Sequence, residues 1–156
     1  MSLGRRLGEL LFPGAVAGLV GQLGAGKTYF VRAIALGLGL RNEHAVSSPT
    51  FVLIQEYAGR LPIYHFDVYR LHNEREFLEL GVQEYFEDEG VCLIEWADKV
   101  PGVLPKEILL VTILVTGEDS RRFQFEAHGS RYEEVLEVLS QPHQPEAPAR
   151  ASGNAT

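Results

Sequence analysis

The chain is poor in several things at once, and each shortage excludes something. It has one cysteine, Cys92, so an internal disulfide framework and a multi-cysteine metal site are both ruled out. Basic residues are the scarcer sign, 14 Lys+Arg against 21 Asp+Glu for a formal charge of −7. That argues against gripping nucleic acid or an anionic membrane by bulk electrostatics. No uninterrupted apolar run approaches the roughly 18 residues of a membrane span, and the N-terminus lacks a secretory apolar stretch. What remains is a cytoplasmic reading and an ordinary globular composition, 46% hydrophobic and 22% charged over 156 residues. That length suits one domain and buries enough surface to fold without staples.

Residues 141–156 carry three of the eight prolines and no aliphatic residue larger than alanine. Such a segment cannot offset its own ordering entropy, so the expected division is a folded domain over 1–140 and a disordered tail over 141–156. The acidity is uneven: residues 74–89 hold seven acids and one base, Arg75, for a local −6.

Leu3, Leu7, Leu10 and Leu11 form a helical apolar stripe that Pro13-Gly14 stops. Residues 15–20 read as a buried strand, 21–28 as a glycine-rich turn and 27–38 as a helix. Residues 50–57 and 61–66 read as a hairpin turned at Gly59-Arg60. Asn73 with Glu76 marks a helix start, ending at Gly81. Residues 91–94 are a buried strand, 108–115 and 122–127 a second hairpin, and Ser130 with Glu133 opens a last helix to Leu139. The expected architecture is α/β, three layers with helices flanking a mixed β-sheet.

Gly21-Gln22-Leu23-Gly24-Ala25-Gly26-Lys27-Thr28 is a complete G-x-x-x-x-G-K-[ST] phosphate loop between strand and helix, where its chemistry requires it. The glycines let successive N–H groups converge on phosphate oxygens, and the helix that follows presents its positive end. Lys27 supplies a mobile charge for the outer phosphates, and the Thr28 hydroxyl is a candidate Mg²⁺ ligand. With three lysines against eleven arginines, lysine is not this chain's default cation, yet it stands here. A chance match to the pattern is on the order of a few per thousand.

Such a site also needs an acid at a neighbouring strand end. Val91-Cys92-Leu93-Ile94-Glu95 and Ile63-Tyr64-His65-Phe66-Asp67 each supply one. Glu95, on the more purely apolar strand, is the favoured Mg²⁺ ligand, leaving Asp67 to orient or deprotonate the attacking water; swapped roles stay open. Ser48, Pro49 and Thr50 are candidates for a switch segment or, equally, a capped proline turn. Trp96 is either a stacking residue or core. His65 reads as structural and Cys92 as a small buried hydrophobe; Arg121 and Arg122, at a hairpin turn, are either solvated charges, the favoured reading, or contacts to nucleotide or RNA.

Together these motifs resemble one family, the TsaE (YjeE) P-loop ATPases of bacterial tRNA threonylcarbamoyladenosine formation. The resemblance rests on Gly21 to Thr28, then Ser48-Pro49-Thr50-Phe51, His65-Phe66-Asp67-Val68-Tyr69-Arg70 and the Glu95-Trp96 pair, and it runs from about Leu3 to Phe125. It implies ATP hydrolysis with Mg²⁺ at Thr28 and Glu95, with Lys27 and Asp67 as catalytic residues. It also implies switch-like behaviour in Ser48, Pro49 and Thr50 and in the segment around Asp67, Tyr69 and Arg70, with Trp96 beside them. The implied partners are a threonylcarbamoyl transferase subunit (TsaD-like) and its inactive paralogue (TsaB-like), with tRNA met through them and no membrane. In that family the ATPase supports turnover and does not transfer the group. Gln22 stands where the family usually has Asp, and Tyr29 where a small hydroxyl residue is usual; neither removes a backbone amide or the lysine. The chain also opens at the first helix, without the short stretch that the family places near the adenine. The alternative function is a small-molecule P-loop kinase, which would call for an arginine-rich lid where residues 74–89 are acidic.

Overall fold

The computed structural model describes residues 2–47 and 53–143. Six strands form one sheet: β1 (Val16–Val20), β2 (Ile54–Ala58), β3 (Pro62–Asp67), β4 (Val91–Glu95), β5 (Ile108–Val115) and β6 (Arg121–His128). Their spatial order is β2-β3-β4-β1-β5-β6. The four inner strands run parallel, and β2 and β6 close the two edges as antiparallel hairpin partners of β3 and β5. The expected mixed sheet is therefore present, with both hairpins at its edges.

Side chains on a strand alternate between faces, and here the alternation sorts the core into two halves. Ala17 and Leu19 of β1, Ile63 of β3, Leu93 of β4 and Leu109, Val111 and Ile113 of β5 face α1 (Ser2–Leu10), α2 (Lys27–Gly37) and α5 (Ser130–Ser140). Val16, Tyr64, Phe66, Cys92 and Ile94 face the other way, against α3 (Glu74–Glu79) and α4 (Val82–Glu87). Helices on both faces make the three layers.

α1 and α2 cross at backbone contact. A Cβ on Gly8 would lie 2.1 Å from the Ile34 carbonyl oxygen, and one on Gly37 would lie 2.0 Å from that of Arg5. No other residue fits either position. The Arg60 guanidinium then closes the end of α1, donating to the carbonyls of Gly8 (2.8 Å), Glu9 (3.2 Å) and Leu11 (2.7 Å). These are the orphan acceptors that any helix leaves at its C-terminus.

Two local readings need correction. The helix expected to end at Gly81 is followed by a second one, α4, because Gly81 takes φ +76° and turns the chain rather than releasing it. Asn73 does cap α3, accepting from Glu76 N at 3.0 Å, while the Glu76 carboxylate reaches back to His72 N. β2 begins at Ile54, later than expected; positions 50–52 of that reading, and 144–156 of the proposed tail, lie outside the described residues. Cys92 is fully buried, and burial pushes its thiol up to about 12. Among the described residues no helix is long and apolar enough to cross a membrane.

Candidate functional site

Parallel strands end together, and this sheet ends at the phosphate loop. Asp67, the last residue of β3, is in register with Glu95, the last of β4, and Glu95 is in register with Leu19, next to the end of β1. Asp67, Glu95 and His65 share a strand face by the period of two, and it is the face that α2 covers. The crevice beyond the carboxyl ends of such strands is where ligands bind in open α/β sheets.

The loop from Gly21 to Gly26 is shaped by its glycines. Gly24 and Gly26 take φ +78° and +106°, a region that a Cβ disfavours. Gly21 is a glycine for another reason: a Cβ there would stand 2.8 Å from the Ile113 carbonyl oxygen of β5. Gly26 caps α2 without any side-chain bond, so the first-turn amides are left for a ligand.

Lys27 is only 5% exposed, and its Nζ donates to the loop's own carbonyls, Gly21 O at 2.6 Å and Gln22 O at 2.9 Å. The ammonium also lies 3.9 Å from the centre of the Trp96 ring. Burial lowers its pKa, and the nearby carboxylates of Glu95, Asp67 and Asp98 pull it back up. The loop thus satisfies its own cation.

Thr28 Oγ1 donates to Glu95 Oε1 at 2.7 Å, and His65 Nε2 meets Glu95 Oε2, also at 2.7 Å. Asp67 Oδ1 accepts from Tyr69 N at 2.9 Å, which fixes the turn leaving β3. Trp96 is the one non-glycine residue with positive φ (+63°) among the described residues. Strain of that kind costs on the order of 1 kcal/mol, and here it swings the indole back over the loop. Tyr69 packs against the indole at 4.7 Å between ring centres, and Lys99 Nζ donates to Tyr69 O at 2.6 Å.

Leu23, Gly24, Gly26, Lys27, Thr28, Tyr29, Leu53, Asp67, Tyr69, Arg70, Glu95 and Trp96 line one cleft of about 480 Å³. Lys27, Thr28, Asp67, Tyr69, Arg70, Glu95 and Trp96, proposed from scattered motifs, therefore converge. Ser48, Pro49 and Thr50 lie outside the described residues; Leu53, the first described residue after them, borders the cleft and accepts from Asp67 N at 3.2 Å.

Two residues matter more here than their sequence context suggests. His65, read from the sequence as structural, is completely buried behind Glu95; its placement at i−2 from Asp67 on an alternating strand is the signal that could have pointed there. Arg121 is not merely solvated: its Nε donates to Ala25 O at 3.0 Å, and its Nη1 gathers carbonyls of Gly117, Glu118 and Ser120. No sequence signal joins positions 25 and 121.

A family profile described as threonylcarbamoyl adenosine biosynthesis protein TsaE matches residues 1–123. A Bacillus subtilis relative, named tRNA threonylcarbamoyladenosine biosynthesis protein TsaE, is 50% identical over 129 residues, 82% of this chain and 79% of its own length. A Treponema pallidum relative of the same name is 44% identical over 76% of this chain and 86% of its own. Among solved structures, the crystal structure of Bacillus subtilis YdiB superposes with a TM-score of 0.73 at 41% identity, covering 89% of this chain and 85% of that one. On that profile match, these relatives and this structural likeness, the chain belongs to the TsaE family of threonylcarbamoyl adenosine biosynthesis proteins.

Proposed function

We propose that the chain binds and hydrolyses Mg²⁺-ATP in this cleft as a subunit of the assembly that forms threonylcarbamoyladenosine in tRNA. On this reading it supports turnover of that assembly and does not transfer the group. The observation that carries the reading is the phosphate loop with Thr28 hydrogen-bonded to the buried strand-end acid Glu95. Free loop amides at the start of α2 suit phosphate oxygens, and Lys27 can leave its two carbonyls for the outer phosphates.

The donor set fits magnesium. Thr28 and Glu95 offer hard oxygens side by side, 2.7 Å apart, of the kind that this ion takes. Among the described residues no three His, Cys, Asp or Glu converge as a self-sufficient metal cage. Phosphate oxygens and water would therefore complete the shell, as is usual for this ion. Bound there, Mg²⁺ would neutralise charge on the transferring phosphoryl group.

Lys27 and the loop amides stabilise the phosphoryl charge, and Asp67, at the mouth of the cleft beside Glu95, orients the attacking water. Glu95 rather than Asp67 takes the metal role, because it is Glu95 that Thr28 contacts. The partners on this reading are a threonylcarbamoyl transferase subunit and its inactive paralogue, with tRNA reached through them. The acidic stretch, where the kinase alternative would carry its lid, folds as α3 and α4, packed on the sheet through Phe77 and Val82.

The deciding experiment measures ATP hydrolysis by the chain alone, with both partners, and with partners plus tRNA. Slow hydrolysis alone and a marked rise with partners is expected; turnover of about 10 per second or more without them contradicts the subunit role. Asp67→Ala should lower partner-stimulated hydrolysis by about 10²–10⁴-fold while ATP still binds. Unchanged stimulated hydrolysis in that variant would remove Asp67 from the mechanism. Arg121→Ala should weaken ATP binding about tenfold, the equivalent of ~1.4 kcal/mol for one charge-assisted bond holding the loop. Calorimetric titration reads this; an unaltered affinity means that the loop keeps its shape without Arg121.

A further inference from the structure

His65 is buried, polar and not used by the mechanism above, and its surroundings say what it does. On β3 it lies two residues before Asp67, on the strand face that α2 covers, in register with Leu93, two residues before Glu95. Its Nε2 meets Glu95 Oε2 at 2.7 Å, with side-chain exposures of 0% and 3%. A carboxylate oxygen only accepts, so this ring nitrogen carries the proton and donates. Nδ1 is buried with no hydrogen-bond partner among the described residues.

The Glu95 carboxylate is therefore held at both ends, one oxygen by His65 and the other by the Thr28 hydroxyl. If stability were the only demand on the His65–Glu95 pair, packed hydrocarbon at both positions would serve as well or better. Replacing a buried polar pair by packed hydrocarbon is often neutral or stabilising, and an unpaired buried nitrogen is a standing cost. What an apolar side chain cannot do is stop the carboxylate from rotating about its own bond.

We propose that His65 is the positioning residue for Glu95: its Nε2–H fixes one carboxylate oxygen so that the other is presented, beside Thr28 Oγ1, to a divalent cation. This rests on the metal role given to Glu95 above. Hydrogen-bonded partners behind a ligating side chain commonly tune metal affinity in this way, and losing one typically costs 10–100-fold.

The test uses the full chain and three substitutions. In His65→Gln the side-chain amide can reach the place of Nε2 and donate; in His65→Asn it is too short, and His65→Leu fills the space without a donor. ADP binding is followed by calorimetry over a range of Mg²⁺ concentrations, so that no hydrolysis intervenes. The expected result is a metal-free ADP affinity within about threefold of the parent in all three. The Mg²⁺ concentration giving half of the metal-dependent gain should rise by about 10–100-fold in His65→Leu and His65→Asn and stay near the parental value in His65→Gln.

Parental Mg²⁺ dependence in a folded His65→Leu or His65→Asn protein overturns the proposal. So does an equal loss of metal-free affinity in all three variants, which marks a role in shaping the loop. If neither the Leu nor the Asn variant folds while the Gln variant does, the bond serves the fold and the proposal also fails. Should the parent itself bind ADP with no Mg²⁺ dependence, the metal reading of Glu95 fails, and with it the premise of this one.

Discussion

Replacing Lys27 by alanine is expected to leave a folded protein that no longer holds ATP usefully. The two halves of that result have separate causes. On the folding side, the ammonium is nearly buried, and burial lowers its pKa, so folding bears a cost for enclosing the charge. Removing the side chain relieves that cost and gives up the bonds to Gly21 and Gln22 carbonyls, and it opens room beside the cleft that Lys27 lines, where water can take its place. The melting temperature should move by only a few degrees. On the binding side, the variant loses the one cation that the loop itself provides. Charge-assisted bonds are worth about 1.5–3 kcal/mol each, and preorganised donors to a charged transition state about 2.7–4. Affinity for ATP should fall by roughly 10–10²-fold, and hydrolysis by roughly 10²–10³-fold. Calorimetry and a thermal melt on the same sample read both halves. Parental affinity in the alanine variant would mean that the loop is not a phosphate site.

Gly37→Ala should destabilise the fold severely for the addition of one methyl group. Helix propensity taken alone predicts the opposite, a gain of about 1 kcal/mol for alanine over glycine in a helix. Geometry overrules it. The added carbon would sit 2.0 Å from the Arg5 carbonyl oxygen, a backbone atom that cannot swing aside. α1 would have to lift from α2, loosening Leu7 and Leu11, both buried in the same core. It would also pull the carbonyls of Gly8, Glu9 and Leu11 away from the Arg60 guanidinium. A loss of about 3–5 kcal/mol is expected, which for a chain of this size lowers the melting temperature by roughly 10–15 °C. The sign is the test: a stabilised variant would mean that the helices are not in backbone contact.

The parts of this protein that could be read ahead of the structure are those whose causes are local. The phosphate loop declares itself because glycine, lysine and threonine act within one turn. Val91 to Ile94 reads as a strand because four apolar residues in a row have nowhere to go but inside. α4 was hidden because Gly81 ends one helix and caps the next with the same left-handed turn, and composition cannot tell the two uses apart. Asp67 and Glu95 were each legible as strand-end acids, yet their pairing depends on strand register, which only the assembled sheet sets. His65 was undervalued for the same reason. Its partner stands thirty residues away, on another strand. Arg121 lies further still, held against Ala25 across ninety-six residues. A hairpin arginine is ordinarily solvated, so nothing local marks that contact.

The left-handed turn at Trp96 has an optical consequence. This is the only tryptophan in the chain, so nearly all emission excited at the red edge of the absorption band comes from one ring. That ring lies 3.9 Å from an ammonium and 4.7 Å from a tyrosine, and both neighbours border the cleft. Anything that draws Lys27 toward a ligand changes the field across the indole. The molecule is thus built with an unlabelled spectroscopic gauge at the mouth of its own site, readable in real time and without altering a residue.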